Sequence, residues 1–401
     1  MPTSRRDFLH LLGVNGVAAA TWRPTPGALS LQRTQGRMAQ EAAGSIRLSS
    51  NENSHGPGPA VLDAIQGAFP RVNRYSFAAA GDVQSALARK LGVQPEQVTL
   101  GCGSSEILDA AVIAFTTPDR GVVTASPTFE LVGDLARHMS HPVVEVPVTD
   151  TLELDLPQMA DKSAGAGLIY ICNPNNPTGT LHGGKAMEEF ITAALKREPK
   201  VTILVDEAYH EYVERADYTS VIPIALSEPR VIVSRTFSKI YGIAGLRCGY
   251  AVGHPDAIRL VSKWLDPLRI SVLTTRAALT ALADPTRVPS QRQLNHDGRT
   301  YTEGLLREAG YPSIPSEANF LMVNVKRDIR QFQAACRERG VEIARPFPPL
   351  LTWARITIGT MAEMQQAVEA FRGALAEPPP TAGALPALER YTPRRDGTWA
   401  C

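Results

Sequence analysis

The stretch that most limits what this chain can become lies at positions 231–251, VIVSRTFSKIYGIAGLRCGYA. Val231, Ile232 and Val233 are β-branched and apolar, which predicts the end of a buried strand. Ser234 to Ser238 then read as a polar turn that delivers Lys239 into a loop, and a second apolar run resumes just after Arg247. A lysine held between strands, with hydroxyls before it and a guanidinium after it, suits one chemistry. The amine can form a Schiff base, while the hydroxyls and guanidinium hold a phosphate beside it. Most of the 41 lysines and arginines must be solvated surface charges. Only the surrounding string singles out Lys239.

Other segments also place chemistry at the ends of apolar runs. Residues 98–100 predict a strand that runs into Gly101-Cys102-Gly103-Ser104-Ser105-Glu106, with a helix through 115. Glycines let the backbone turn tightly there, and free N–H groups at a helix start attract anions. A dinucleotide fingerprint would need a third glycine where Glu106 stands. Residues 168–172 predict a buried strand before the turn cluster Asn173-Pro174-Asn175-Asn176-Pro177-Thr178-Gly179. The next strand, 202–205, ends in Asp206-Glu207-Ala208-Tyr209, and a carboxylate at the C-terminal end of a parallel strand faces a site crevice. Elsewhere the spacing predicts helices over 59–69, 83–91, 267–283 and 328–339, the third as a long connection between domains. It also predicts an alternating strand over 319–325.

The string SRTFSKIYGIAGLRCGY closely resembles the lysine segment of fold-type I aminotransferases, which use pyridoxal phosphate (PLP), and in particular the histidinol-phosphate aminotransferase family. That resemblance makes Lys239 the lysine that carries PLP. Thr236, Ser238 and Arg247 then contact the cofactor phosphate, together with Gly103, Ser104 and Ser105. The string N-P-N-N-P-T-G matches the family element in which Asn176 bonds the phenolic oxygen of the cofactor. Asp206 pairs with the pyridine nitrogen, Tyr209 bonds the phenolic oxygen and Phe129, in Pro127-Thr128-Phe129, stacks on the ring. Lys239, Asp206 and Tyr209 are the expected catalytic residues. Arg355 matches the arginine that receives the substrate α-carboxylate, which suits its bidentate fork. Arg345 matches a position that helps bind a distal phosphate.

Asn51-Glu52-Asn53-Ser54-His55-Gly56-Pro57 resembles the family loop over the substrate, so Asn53 and His55 are expected to line the pocket. Ser54-His55 replaces the usual Pro-Tyr. His55 is a candidate acid or base, since histidine titrates near neutrality, or a loop residue without chemistry. Asn73-Arg74-Tyr75 resembles the segment whose tyrosine reaches the PLP phosphate of the other subunit, which implies a homodimer.

The resemblance covers roughly residues 46–371. It implies an α/β fold: a large PLP-binding domain with a mostly parallel central sheet (71–283) and a smaller α+β domain (46–70 and 284–371). The expected function is transfer of an amino group between an L-amino acid, or an amino-alcohol phosphate, and a 2-oxo acid. An O₂-using oxidase or lyase of the same fold and a non-catalytic PLP-binding protein remain as alternatives.

The two ends read differently. Ser4-Arg5-Arg6-Asp7-Phe8-Leu9 followed by a small-residue apolar run reads as a twin-arginine leader over 1–31, which predicts export, to the periplasm. Residues 377–401 are rich in proline and aperiodic, and read as a flexible tail. A length of 401 residues, 44% hydrophobic, suits a large domain with a companion. A net charge of +1 without a basic stripe excludes nucleic acid as an expected partner, and no apolar run is long enough to span a membrane. The five cysteines are too scattered for a disulfide framework, and no spacing suggests a metal site.

Overall fold

The computed structural model describes residues 44–376, and from Ile46 onward they belong to one compact unit. The chain begins with a short strand, β1 (Ile46–Leu48). The strands β2 (Val98–Gly101), β3 (Val122–Ser126), β4 (Val143–Pro147), β5 (Leu168–Cys172), β6 (Thr202–Asp206), β7 (Val231–Thr236) and β8 (Gly249–Gly253) form the central sheet. Their order is β2-β8-β7-β6-β5-β3-β4, and β8 alone runs against its neighbours. The fold is therefore α/β with a mostly parallel sheet.

The central strands are mostly apolar because both faces of the sheet are covered, with their polar residues gathered towards the C-terminal ends. Ile169, Ile171, Ile203, Val205, Val231 and Val233 pack into one core. The alternate residues Leu168, Tyr170, Cys172, Leu204 and Ile232 pack into another. A strand's side chains point to opposite faces in turn, so one short sequence feeds two cores. A third apolar body gathers Leu48, Phe332 and Phe371 around β9 (Phe320–Asn324), β10 (Val341–Ile343) and β11 (Trp353–Thr357). Here β1 pairs with β10 in parallel, and β11 pairs with β9 antiparallel.

One geometric consequence positions everything else. Strands β2, β3, β5, β6 and β7 share a direction, so Gly101, Ser126, Cys172, Asp206 and Thr236 end on one edge of the sheet. Parallel sheets place ligands at that edge.

Three expectations need correction. The helical pattern over 267–283 breaks at residues 270–271: a 3₁₀ turn, Pro267–Arg269, precedes a helix Val272–Ala283 whose N-terminus is capped by the Ser271 hydroxyl. Among the described residues the longest helix is the next one, Arg287–Glu308, and the boundary expected between 283 and 284 falls just before it. The polar turn at 234–238 is shorter than expected, because β7 runs on to Thr236. Arg235 is buried there on Glu207, whose Oε2 accepts from its Nη2 at 2.8 Å. Finally, the helix expected over 83–91 starts earlier, at Phe77.

The leader at 1–31 and the tail at 377–401 lie outside the described residues. Among the described residues no helix is long and apolar enough to cross a membrane.

Candidate active site

Asp206 closes β6 with its carboxylate buried, 3% exposed. Its Oδ2 accepts a hydrogen bond from the Tyr170 hydroxyl at 3.0 Å, across from the neighbouring strand β5. Its Oδ1 has no partner. Burial pushes the Asp206 carboxyl up to about 7, against the pull of the Tyr170 bond and the Lys239 ammonium. A buried carboxylate oxygen without a donor is costly, so this site fits a group that brings an N–H to it.

Lys239 follows β7 and is half-buried. Its Nζ donates to the carbonyls of Asn51 at 3.1 Å and Ser50 at 3.4 Å, and lies 5.6 Å from the centre of the Tyr209 ring. Burial lowers its pKa to about 8, with the nearby Arg355 adding to the effect and Asp206 opposing it. The amine is thus poised to lose its proton, as a nucleophilic lysine must.

Beside it the chain builds an anion cradle. The helix Ser104–Phe115 starts without a side-chain cap, so the N–H groups of its first turn, Ser104 and Ser105 among them, are open to an anion. Gly103, at φ 78°, is the residue before it, and a Cβ there would collide with the Arg247 guanidinium. Arg247 is thereby held against the helix start, with Nη1 donating to the Ala244 carbonyl at 2.8 Å. Thr236 and Ser238 join their hydroxyls at 2.9 Å on the same edge. Two glycines let these parts close up. Gly249 pairs with both Gly101 and Thr236, and a Cβ on it would collide with the Ser104 nitrogen.

Arg355 lies on β11, buried, and reaches the same crevice. Its Nη1 donates to Asn176 Oδ1 at 2.6 Å and its Nη2 to the Ser49 carbonyl at 2.7 Å, while Nε has no partner. Burial lowers it to about 10. Thr128 hydrogen-bonds Asn175 at 2.7 Å, which ties the turn bearing Phe129 to the turn bearing Asn176. Tyr209 is buried edge-on to Phe320, with ring centres 5.3 Å apart.

So the fold brings Lys239, Asp206, Tyr209, Asn176, Arg355 and the cradle to one crevice. The remaining expected residues lie around this crevice or on the surface, each with its own partners. The Asn53 side chain ties its loop to the lysine segment and to the helix Arg287–Glu308, donating to the Ile240 carbonyl at 3.1 Å and to Gln291 at 3.0 Å, while its Oδ1 accepts from the His55 N–H at 3.0 Å. His55 shares a polar recess with Asn53, Tyr212 and Gln291. Burial lowers its pKa, and the charges facing it are Glu363 and Arg287. Arg345 is ion-paired with Glu130. Tyr75 is 78% exposed.

Sequence reasoning missed Asn51 and Tyr170. Asn51, at φ 54° and 1% exposed, donates to the Tyr209 hydroxyl at 3.0 Å. It also exchanges hydrogen bonds with Thr357 and accepts one from Lys239 on its carbonyl. Asn51 opens the string that resembles the family loop, but nothing in that string reports partners 158 and 306 positions away. Tyr170 had one: a hydroxyl in the otherwise apolar run LIYIC.

Residues 43–371 match the protein-family model of aminotransferase class I and II. The chain belongs to that family. Among relatives of this aminotransferase, the histidinol-phosphate aminotransferase of Moorella thermoacetica is 36% identical over 82% of this chain and 86% of its own length. The aromatic amino acid aminotransferase of Mycobacterium avium is also 36% identical, over 80% and 89%. The crystal structure of the Sinorhizobium meliloti histidinol-phosphate aminotransferase in complex with pyridoxal-5'-phosphate superposes with a TM-score of 0.78 at 27% identity, covering 91% of this aminotransferase and 99% of that chain.

Proposed function

We propose that this PLP-dependent aminotransferase holds its cofactor in the crevice between Asp206, Lys239 and the start of helix Ser104–Phe115, and moves amino groups between an L-amino acid, or an amino-alcohol phosphate, and a 2-oxo acid. The observation that carries the placement is the buried, unpartnered Oδ1 of Asp206 beside a lysine of lowered pKa. A protonated pyridine nitrogen answers that oxygen, and the uncapped helix start with Arg247, Thr236 and Ser238 suits the phosphate. When bound, PLP supplies an electron sink for charge that develops at the substrate Cα.

The side chains do the rest. Asp206 would keep the pyridine nitrogen protonated, Asn176 and Tyr209 would bond the phenolic oxygen, and Phe129 would supply an aromatic face to the ring. Arg355 would receive the substrate α-carboxylate, which would take the place of the Asn176 amide oxygen or the Ser49 carbonyl on its Nη atoms. The Lys239 amine would hold the cofactor, and it is the base placed to take a proton from the substrate Cα. Borohydride reduction followed by peptide mass mapping tests the placement. A pyridoxyl group on Lys239 is the expected result, and its appearance on another lysine defeats this reading. A panel of amino donors, with and without 2-oxoglutarate, should show turnover that requires the 2-oxo acid and consumes no oxygen.

Tyr75 is proposed to reach the cofactor phosphate of a second copy, which makes the working unit a homodimer. Its high exposure in the single chain, beside exposed Phe69 and Val72, supports this. Export by the twin-arginine route, to the periplasm, is proposed from Arg5 and Arg6 ahead of Phe8 and Leu9. Replacing both arginines by lysine should leave the protein in the cytosol on fractionation.

A further inference from the structure

The turn after β3 reads Pro127-Thr128-Phe129-Glu130, and Glu130 is the residue that takes hold of Arg345. Arg345 Nη2 donates to Glu130 Oε2, and Nη1 donates to the Pro346 carbonyl at 2.9 Å. The Arg345 guanidinium lies 4.4 Å from the centre of the Phe347 ring, and that of Arg355 lies 4.7 Å from the same ring. The ion pair therefore stands one aromatic ring away from the carboxylate fork, where a substrate side chain would end. Behind it the wall is apolar: Phe347 packs with Met322, Ala344 and Trp353.

We propose that Glu130 is a specificity-determining residue, which neutralises Arg345 and so turns the far end of the pocket against phosphate-bearing substrates and towards amino acids with uncharged, largely apolar side chains. This rests on the reading of Arg355 as the α-carboxylate anchor. A phosphate seated on Arg345 would either share the guanidinium with a carboxylate or expel it, and like charges held together discriminate strongly between partners. An uncharged side chain leaves the pair intact and covers the Phe347 wall. Glu130 is itself held in place: it is the residue before helix Leu131–His138, and Thr128, two residues earlier in the same turn, is bonded to Asn175. The pull of Arg345 keeps its carboxyl from rising further under burial.

The test uses the PLP-loaded enzyme with 2-oxoglutarate and two amino donors, L-phenylalanine and L-histidinol phosphate. The wild type is expected to show the higher kcat/KM for phenylalanine. Glu130→Gln should shift the ratio towards the phosphate substrate by about tenfold or more, mostly through KM. Adding Arg345→Gln should abolish that gain, which a merely structural role for Glu130 would not produce. A ratio unchanged in Glu130→Gln, or a wild type that prefers the phosphate substrate, overturns the proposal. Should neither donor turn over, the aminotransfer reading is what fails. Calorimetric binding of histidinol phosphate to the same two proteins then decides: tighter binding by Glu130→Gln supports the role of Glu130, and equal binding refutes it.

Discussion

At the scale of single residues, the site is a set of groups held away from their ordinary protonation. Folding lifts the Asp206 carboxyl from 3.8 to about 7. Between those pH values the folded apo chain keeps a proton that the unfolded chain has released, so Asp206 costs little near pH 4, progressively more as the pH rises towards 7, and a constant amount above it. Asp206→Asn should therefore raise the melting temperature of the cofactor-free protein at pH 8, by the equivalent of at most roughly 2–4 kcal/mol, and leave it unchanged at pH 4. With PLP added the order should reverse, because only the carboxylate pairs with a charged pyridine nitrogen. Lys239 is displaced the other way, down to about 8 by burial. Capture of PLP by the stripped enzyme should accelerate as the pH rises through 8 and then level off, followed by cofactor absorbance. Lys239→Ala should lose turnover by more than about a thousandfold while still binding PLP non-covalently.

At the scale of elements, the phosphate cradle exists because β8 lies against the start of helix Ser104–Phe115 with no side chain between them. A Cβ at Gly249 would meet the Ser104 backbone nitrogen, which cannot swing aside. Gly249→Ala should cost about 3 kcal/mol or more in stability and weaken PLP retention, measured by thermal melting and cofactor titration. Gly245 is the control. A Cβ there meets nothing within 4 Å, so Gly245→Ala should stay within about 0.5 kcal/mol of wild type.

At the scale of the whole molecule, the crevice draws on strand ends from the large sheet and on Arg355 from the β9–β11 pair. The proposed dimer would add Tyr75. Light scattering should give twice the chain mass of 43.3 kDa. Tyr75→Phe should keep that mass while weakening PLP binding about tenfold or more, the worth of a hydrogen bond to a charged group.

The buried strands and their order of chemistry were legible in the sequence, because strands covered on both faces open as apolar runs and each gives way to polar residues at its C-terminal end. The strings around Asn176, Asp206 and Lys239 carry their identity within a few residues. What only tertiary structure decided are the partners that come from far along the chain. Asn51 holds Tyr209 across 158 positions, Arg355 holds Asn176 across 179, and Glu130 holds Arg345 across 215. Local pattern reports the period and turn chemistry of a segment. It cannot report which distant polar group must be nearby to satisfy a buried one, and that is settled only when the layers pack.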